Sequence, residues 1–597
     1  MRRRVQKACR RCRDQKIKCT GSEPCDQCSK RLLACQFDSQ SQRVLVTRRY
    51  INDLHERLAM FQNRPNGPPS PHSVPEQAMG LEPDSEHHAR SLRRAMCDGL
   101  EAKAALTNPL AFHIKDWVPD PNGKPVFMGT SSSWAFGRRV LEMTNKGISG
   151  SSLSPDNLRF DGYVYDLNWD GNRVSSTQDV LDTTNLPSLD FARYLISSVQ
   201  FHCNEIFYLF EESIFTKQMI AFKDDPLGKA HSSPLWFCHY LLLLAIGKSL
   251  VVQSAKLERP SGVEYFVQAM KCMPDLIFLD ADPIEQTQVL CCAALYLQCL
   301  HHRTAAYRMI GLALRRALEH GMYTEMRSTY LDEAYVRRCN RMWWTVYVLE
   351  RRMSSIIGVP PGISEESISA PFPSAQRHIQ SPNALEMQIK LCQVLAKIDR
   401  TVYGVEGKLD SRYLGATQSV LRSIATVTEQ LNNSFDLHEN GTAGGISRVP
   451  SHLHLLEHQC IILTTQPLLY IFLQSKLGRS DPALMDWLQS ETVKGLLHIC
   501  VESAQQVVRI LTNLLEQGLL DAFLPYNMDA AFTATISLLI AASIDSTILH
   551  DHSPYALTFS AHEPGLPSSA DDMVSSLSAG EYSQTLENDF VESFGQH

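Results

Sequence analysis

The sequence predicts a small, cysteine-organised N-terminal domain with a short coiled coil, followed by a large, mainly α-helical domain. Three observations predict it. Six cysteines between residues 9 and 35 fall into two copies of one spacing, residues 44 to 61 carry an apolar seam at heptad intervals, and from about 187 to 550 apolar residues recur at helical intervals. With 597 residues, 44% of them apolar and 20% charged, the chain exceeds what a single core holds, which excludes a stapled peptide and a wholly disordered chain.

Charge is distributed unevenly. The formal net charge is −7, but residues 1–64 carry +10 and the remainder −17, and no Lys or Arg follows Arg509. A basic head on an acidic body suits a polyanionic partner for the head alone. No apolar run follows the first charged residues as a secretory signal would require, so export is not expected. The longest uncharged stretches, such as 530–544, fall short of the ~20 residues of a membrane span and are expected to be buried core helices, with no membrane partner. In a reducing compartment clustered cysteines are metal ligands before they are disulfides.

Cys9, Cys12 and Cys19 form C-x2-C-x6-C, and Cys25, Cys28 and Cys35 repeat it at an offset of 16. A C-x2-C loop lets two sulfurs reach one tetrahedral zinc at ~2.3 Å. Two zinc ions need eight ligand positions, which six sulfurs fill if two of them bridge, and the repeat makes one bridge per half the natural arrangement. RING and LIM modules need eight ligands, and no second set of Cys and His follows at such spacing. Chance alignment and disulfides are the alternatives. Residues 9–35 resemble the Zn2Cys6 binuclear cluster of fungal transcription factors. The resemblance implies Cys9 and Cys25 as bridging thiolates, Cys12 and Cys19 completing one site, Cys28 and Cys35 the other, and two Zn2+ as cofactors. So short a stretch cannot bury a useful apolar core, and without the metal it is expected to be unfolded.

The first repeat holds Arg10, Arg11, Arg13, Lys16 and Lys18 against Asp14, whereas the second holds Asp26, Lys30 and Arg31, so the first is expected to face double-stranded DNA. Residues from Cys12 to Lys18 suit a short helix. Family resemblance places its end in the major groove over a CGG-type triplet, with Lys16 at the position that reads guanine O6 and N7. Arg10, Arg11, Arg13 and Lys18 then contact phosphates, unless they are solvated side chains balancing the thiolates. The chain departs from the family at Gln15, where a second basic residue is common. Pro24 suits the turn between the halves.

After this domain and its linker, 1–42, a segment at 43–62 places Val44, Thr47, Ile51, Leu54, Leu58 and Phe61 on an a/d seam of fewer than three heptads. The family has a parallel coiled coil there, which implies a homodimer; an amphipathic helix packed on its own chain is the alternative. Residues 63–95 are a Pro/Ser-rich linker expected to be disordered, and 96–186 are expected to be irregular. Within them Asn108–Leu110 and Gly129–Phe136 resemble a segment of some zinc-cluster regulators, with a Ser-rich turn entering a helix at Arg138–Met143 as the plainer reading.

The α-helical regulatory domain is expected over 187–550. Val289, Leu290, Ala293, Leu297 and Leu300 share one helix face; Ile310, Ala313, Leu314, Ala317 and Leu318 share the next, which ends at Gly321. Arg337–Trp344, Tyr347, Glu350–Arg351 and Gly358–Pro360, with Phe210–Glu212 and Phe215, resemble the fungal transcription-factor middle homology region at about 187–375. Trp343 and Trp344 are expected in the core. Adjacent His301 and His302 would diverge by about 100° on a helix, which argues against a shared metal. Asn432–Pro450 reads as a loop, and 551–597 is an acidic, Ser-rich tail, either an activation surface or a solubilising segment.

No Gly-rich phosphate loop, G-x-S-x-G elbow or H-E-x-x-H occurs. The sequence therefore reads as a nuclear, sequence-specific DNA-binding transcription factor of RNA polymerase II genes, not an enzyme. By resemblance it is an activator of a fungal metabolic or secondary-metabolite gene cluster that meets the transcription machinery through its helical body or acidic tail. The alternatives are a zinc-dependent interaction module without DNA contact and an α-helical enzyme fused to a zinc head.

Overall fold

The computed structural model describes, in the head, residues 9, 11, 12, 15, 17–20, 24–31 and 35. Beyond these it describes 110, 116–119, 125–129, 131–150, 167, 169, 171, 172, 186–252, 260–279, 281–327, 329–373, 383–403, 413–435, 437, 447–477, 491–521 and 523–544. The coiled-coil seam, the linker and the acidic tail lie outside the described residues. The chain divides into two units, Met1–Glu86 and His87–His597.

In the first unit a single helical turn, α1 (Asp26–Ser29), follows Cys25, and another turn surrounds Arg11 and Cys12. The second unit opens with a two-stranded antiparallel hairpin, β1 (Asp116–Pro119) and β2 (Pro125–Met128), and then α2 (Ser133–Ser149). The stretch expected to be irregular, 96–186, is thus regular over much of its described part. Ser132 starts α2 by accepting the Ala135 N–H at 3.3 Å, and Gly150 ends it at φ 67°.

Helices α3 (Leu189–Cys203), α4 (Glu212–Asp224), α5 (Pro226–Ser232), α6 (Pro234–Val251), α7 (Val263–Cys272), α8 (Pro283–Cys299), α9 (Arg303–Glu319) and α10 (Glu333–Ile357) surround one hydrophobic core. Starts are written in the sequence: Asp225, Asp282 and Asp332 cap α5, α8 and α10, and Pro226, Pro234 and Pro283 sit in first turns whose N–H groups need no helical partner. Gly321 follows α9 at φ 73°, as the sequence signal requires. Helix α8 differs from its reading, because it has no solvent face: Ile284 and all residues from Gln286 to Cys299 are buried. Cys291, Cys292, Ala293 and Ala294 are small enough to let α6, α9 and α10 close around it. His301 and His302 lie in the turn between α8 and α9, not on a helix, and His301 takes a left-handed φ of 57°. Trp343 and Trp344 are buried, with the Trp344 indole N–H donating to the Pro371 carbonyl at 2.9 Å.

A second core lies among α11 (Ala384–Thr401), α12 (Tyr413–Ser434), α13 (Arg448–Lys476), α14 (Glu491–Glu516) and α15 (Pro525–Ile544), with α13 at its centre. The stretch read as a loop from 432 is helical to Ser434, and helix resumes at Arg448. Two helices, α6 and α15, are long and apolar enough to cross a membrane by length and composition alone, a test that the core helix of a helical body also passes. Within the body the apolar window of α6 is 83% buried and that of α15 39%.

Pro467 lies inside α13 and has no N–H to offer the Leu463 carbonyl one turn back. The Tyr403 hydroxyl, from the end of α11, donates to that carbonyl at 2.7 Å, and Tyr413 donates to the neighbouring Thr464 carbonyl at 3.2 Å. Tyrosines from two flanking helices thus repair the interruption and fix the helices' register on α13. Tyr403→Phe should destabilise the body by about 1–2 kcal/mol, because it leaves a buried acceptor without its donor. Urea unfolding checks this, and an unchanged midpoint would show that the carbonyl needs no repair.

Candidate metal centre and nucleic-acid interface

Among the described residues of the head, the buried core is made of cysteines. Cys9, Cys12, Cys19, Cys25 and Cys28 are buried against one another, with Cys35 partly buried beside them. The sulfurs form two tetrads, Cys9–Cys12–Cys19–Cys25 and Cys9–Cys25–Cys28–Cys35, each with its atoms within 4.8 Å of one another. Cys9 and Cys25 belong to both. The Sγ–Sγ separations are 3.8 Å for Cys9–Cys25, 3.7 Å for Cys9–Cys28 and 3.7 Å for Cys12–Cys25. A tetrahedron with 2.3 Å metal–sulfur bonds has edges of about 3.8 Å, so the donor set fits two zinc ions sharing an edge.

The repeat seen in the sequence returns in the backbone. The Cys9 N–H donates to Cys19 Sγ at 3.5 Å, and sixteen residues on the Cys25 N–H donates to Cys35 Sγ at 3.2 Å. The Cys12 N–H adds a contact to Cys9 Sγ at 3.5 Å. Such donors stabilise thiolates, which matters because six thiolates and two divalent cations leave about −2 on the cluster. The thiols already divide: the Cys28 backbone N–H, ahead of burial and neighbouring thiols, brings Cys25 down to about 6, whereas burial and hydrogen bonds from Cys9 and Cys25 push Cys12 up. Metal binding at such a cluster displaces protons.

Short local bonds hold the two halves. In the first, the Gln15 N–H reaches the Arg11 carbonyl at 3.0 Å and the Ile17 N–H reaches Cys12 at 3.0 Å. The helical turn therefore starts before Cys12 and ends before Ile17, so Lys18 stands outside the helix that the sequence suggested through it. In the second half Ser29 and Cys28 N–H groups bond the Cys25 carbonyl at 2.9 and 3.0 Å. One contact the sequence reading missed joins the halves: the Thr20 hydroxyl accepts the Asp26 N–H at 3.0 Å, capping α1 from the preceding loop. A threonine shortly before a turn-forming aspartate was the available signal.

Among the sequence-identified DNA-facing residues, Arg11 is half-buried, with Nη2 3.5 Å from Gln15 Oε1, and Lys18 is exposed. Arg10, Arg13 and Lys16 lie outside the described residues, as do Val44, Ile51, Leu54, Leu58 and Phe61 of the dimerisation seam.

In the body the motif segments meet. Arg341 pairs with Glu211 at 3.6 Å and lies 4.1 Å over the Tyr208 ring, joining the α10 motif to the Phe210–Glu212 motif. Buried Arg351 binds Glu350 at 2.8 Å, Glu365 at 3.0 Å and the Ile363 carbonyl at 2.6 Å, while Glu350 accepts the Gly362 N–H at 2.7 Å. These charges clamp the loop after α10, and their role is architectural. The Gly129–Phe136 segment, which had no assigned role, docks there: the Gly129 N–H donates to the Ile357 carbonyl at 2.9 Å against Gly358. Met128, Ala135 and Ile357 form a small core beside it.

Residues 7–44 match the fungal Zn(2)-Cys(6) binuclear cluster domain, and residues 199–436 match the fungal specific transcription factor domain. The second match runs beyond the 187–375 stretch of the sequence reading. The chain is 21% identical over 595 residues to the thiamine repressible genes regulatory protein thi1 of Schizosaccharomyces pombe, covering 92% of this chain and 73% of that protein. It is 22% identical over 431 residues to activator of stress genes 1 of Saccharomyces cerevisiae, covering 62% and 44%. It is 21% identical over 588 residues to the transcriptional activator protein acu-15 of Neurospora crassa, covering 92% and 59%. No solved structure matches the chain.

Proposed function

We propose that this chain, which carries a fungal Zn(2)-Cys(6) cluster and a fungal specific transcription factor domain and is a DNA-binding transcription factor with two zinc ions rather than an enzyme, reads CGG-type half-sites through its first cysteine repeat. In this reading Cys9 and Cys25 bridge the ions, Cys12 and Cys19 complete one site, and Cys28 and Cys35 complete the other. The observation that carries it is the pair of sulfur tetrads with a shared edge on a head of formal charge +10. The zinc ions supply structure, and the chain's own side chains meet DNA. Lys16 donates to guanine edges, while Arg10, Arg11, Arg13 and Lys18 hold phosphates and fix the register. The seam through Val44, Ile51, Leu54, Leu58 and Phe61 pairs two heads into a homodimer, and the span between head and seam sets the half-site spacing.

Action in the nucleus follows from a duplex DNA target. Two of the relatives are named activators, which supports activation, with the helical body or the acidic tail as the contact to the transcription machinery. A metabolic or secondary-metabolite gene cluster is the proposed target.

A gel-shift series tests the reading. Lys16→Ala should weaken binding to a CGG-containing duplex by about tenfold or more and reduce the preference over a scrambled duplex. Lys18→Ala should weaken both duplexes alike and lower the salt slope by about one. Equal loss on both duplexes for Lys16→Ala would remove the base-reading role, and binding that prefers no duplex would remove the CGG assignment.

A further inference from the structure

Helix α9 has two unlike faces. One is buried, through Ala306, Ile310, Ala313, Leu314 and Ala317. On the other, Arg308, Leu312 and Arg315 are spaced four and three residues apart and so fall on one stripe along the helix. Leu312 is 53% exposed, and both arginines are exposed. Among the described residues neither arginine makes an ion pair or a hydrogen bond, whereas Arg316, on the flank, pairs with Glu319 at 3.0 Å. Gly311 stands beside Leu312, and a Cβ there would meet nothing within 4 Å. Glycine weakens a helix interior and no neighbour requires it here; what it supplies is bare backbone next to the exposed leucine.

A leucine bracketed by two free cations calls for a partner whose apolar side chains are set among carboxylates. The chain contains such a segment. Residues 551–597 hold eight acidic and no basic side chains, and near their end Tyr582, Leu586, Phe590 and Phe594 recur every fourth residue, interleaved with Glu581, Glu587, Asp589 and Glu592. On a helix that spacing keeps the four apolar side chains within about 120° of one another, a single face edged by carboxylates. The segment also reaches. From Ile544, at the end of α15, the chain to Glu581 can extend about 120 Å, whereas a folded domain of this size is about 60 Å across. Being tethered, it is held at an effective concentration of up to roughly millimolar, so a face too small to retain a free partner suffices for it.

We propose that the solvent face of α9 is the docking site of the chain's own segment 581–594, seated there as one amphipathic helix. Leu586 and Phe590 lie against Leu312 and the bare backbone at Gly311, and the carboxylates beside them pair with Arg308 and Arg315, which stand two turns, about 10 Å, apart. A nucleic-acid backbone fits this face less well, because Leu312 between the arginines would be covered by phosphate. Docking hides the acidic and aromatic side chains through which the tail would meet the transcription machinery, so that partner has to displace the helix. The proposal goes beyond DNA reading and stands or falls separately from it, since the measurement needs no half-site.

Photo-cross-linking in the full-length, zinc-loaded protein tests it, with p-benzoylphenylalanine in place of Leu312 and the linked peptides read by mass spectrometry. The link should fall on residues 581–594 and leave the denatured product at the mass of one chain. Arg308→Glu together with Arg315→Glu should cut its yield about tenfold or more, and adding Glu587→Lys, Asp589→Lys and Glu592→Lys should bring it back. Absence of a link, or a link elsewhere in the chain, would overturn the proposal. So would a product of twice the mass, which puts a second copy on the face, or a link to added duplex DNA in place of the tail. A yield that the arginine reversals leave unchanged, or that the tail reversals fail to restore, would overturn it as well. Should the arginine variant fail to fold, the three tail reversals alone decide, because they should lower the yield by the same repulsion.

Discussion

Stripping both zinc ions should abolish binding to duplex DNA, by at least about a hundredfold, and erase the fold of the head while leaving the body helical. The reason lies in what each unit buries. The described core of the head consists of cysteines, with no leucine or aromatic ring inside it, so its folding free energy is the metal-binding free energy, about 10–16 kcal/mol in comparable structural sites. The body has two apolar cores, and no group of metal-ligating residues occurs in it among the described residues. A chelator titration followed by gel shift and far-UV circular dichroism separates the two effects, and zinc refill should restore binding. Retention of DNA binding after the metal has left would show that something other than the cluster folds the head.

Gly129→Ala is the second large expected effect. An added Cβ would come within 1.5 Å of the Gly358 carbonyl oxygen and 2.2 Å of its carbon, and both are backbone atoms that cannot swing aside. Gly358 is itself held at φ 75° at the end of α10, beyond which lies the loop that Arg351 and Glu350 clamp. The substitution should cost about 3 kcal/mol or more, or release the hairpin and α2 from α10. Gly150→Ala is the control, because its φ of 67° carries a left-handed penalty of about 1 kcal/mol but nothing stands within 4 Å of its Cβ. Denaturant unfolding of the two variants side by side checks the difference. Equal destabilisation would mean that the glycines at 129 and 358 do not touch in solution.

The cysteine pattern was legible because metal ligation constrains sequence spacing directly: a C-x2-C pair has to present both sulfurs within one short loop, and the offset of 16 reappears as matched N–H to sulfur bonds. The helical character of the body was also legible, from its apolar periodicity and from Gly321 at the end of α9. What stayed hidden depends on contacts distant in sequence. Periodicity in α8 suggested one buried face, but burial all round leaves no polar stripe to reveal itself. His301 and His302 were read on a helix because nothing local announces a left-handed turn at a histidine. The docking of Gly129 on Gly358 joins residues more than two hundred positions apart, and the bond from Arg448 to the His202 carbonyl arises only once two cores are assembled. Pro467 interrupts the hydrogen-bond ladder of α13, and the partner tyrosines, distant in sequence, explain why the helix passes through it.

The doubly used sulfurs carry a consequence for how the head fails. With Cys9 and Cys25 standing in both tetrads, oxidation of either one spoils two coordination spheres in a single event, while damage at Cys19 or Cys35 reaches one. The cluster is therefore a fuse with two weak points, and the protein's grip on the genome is hostage to the thiol chemistry of its surroundings.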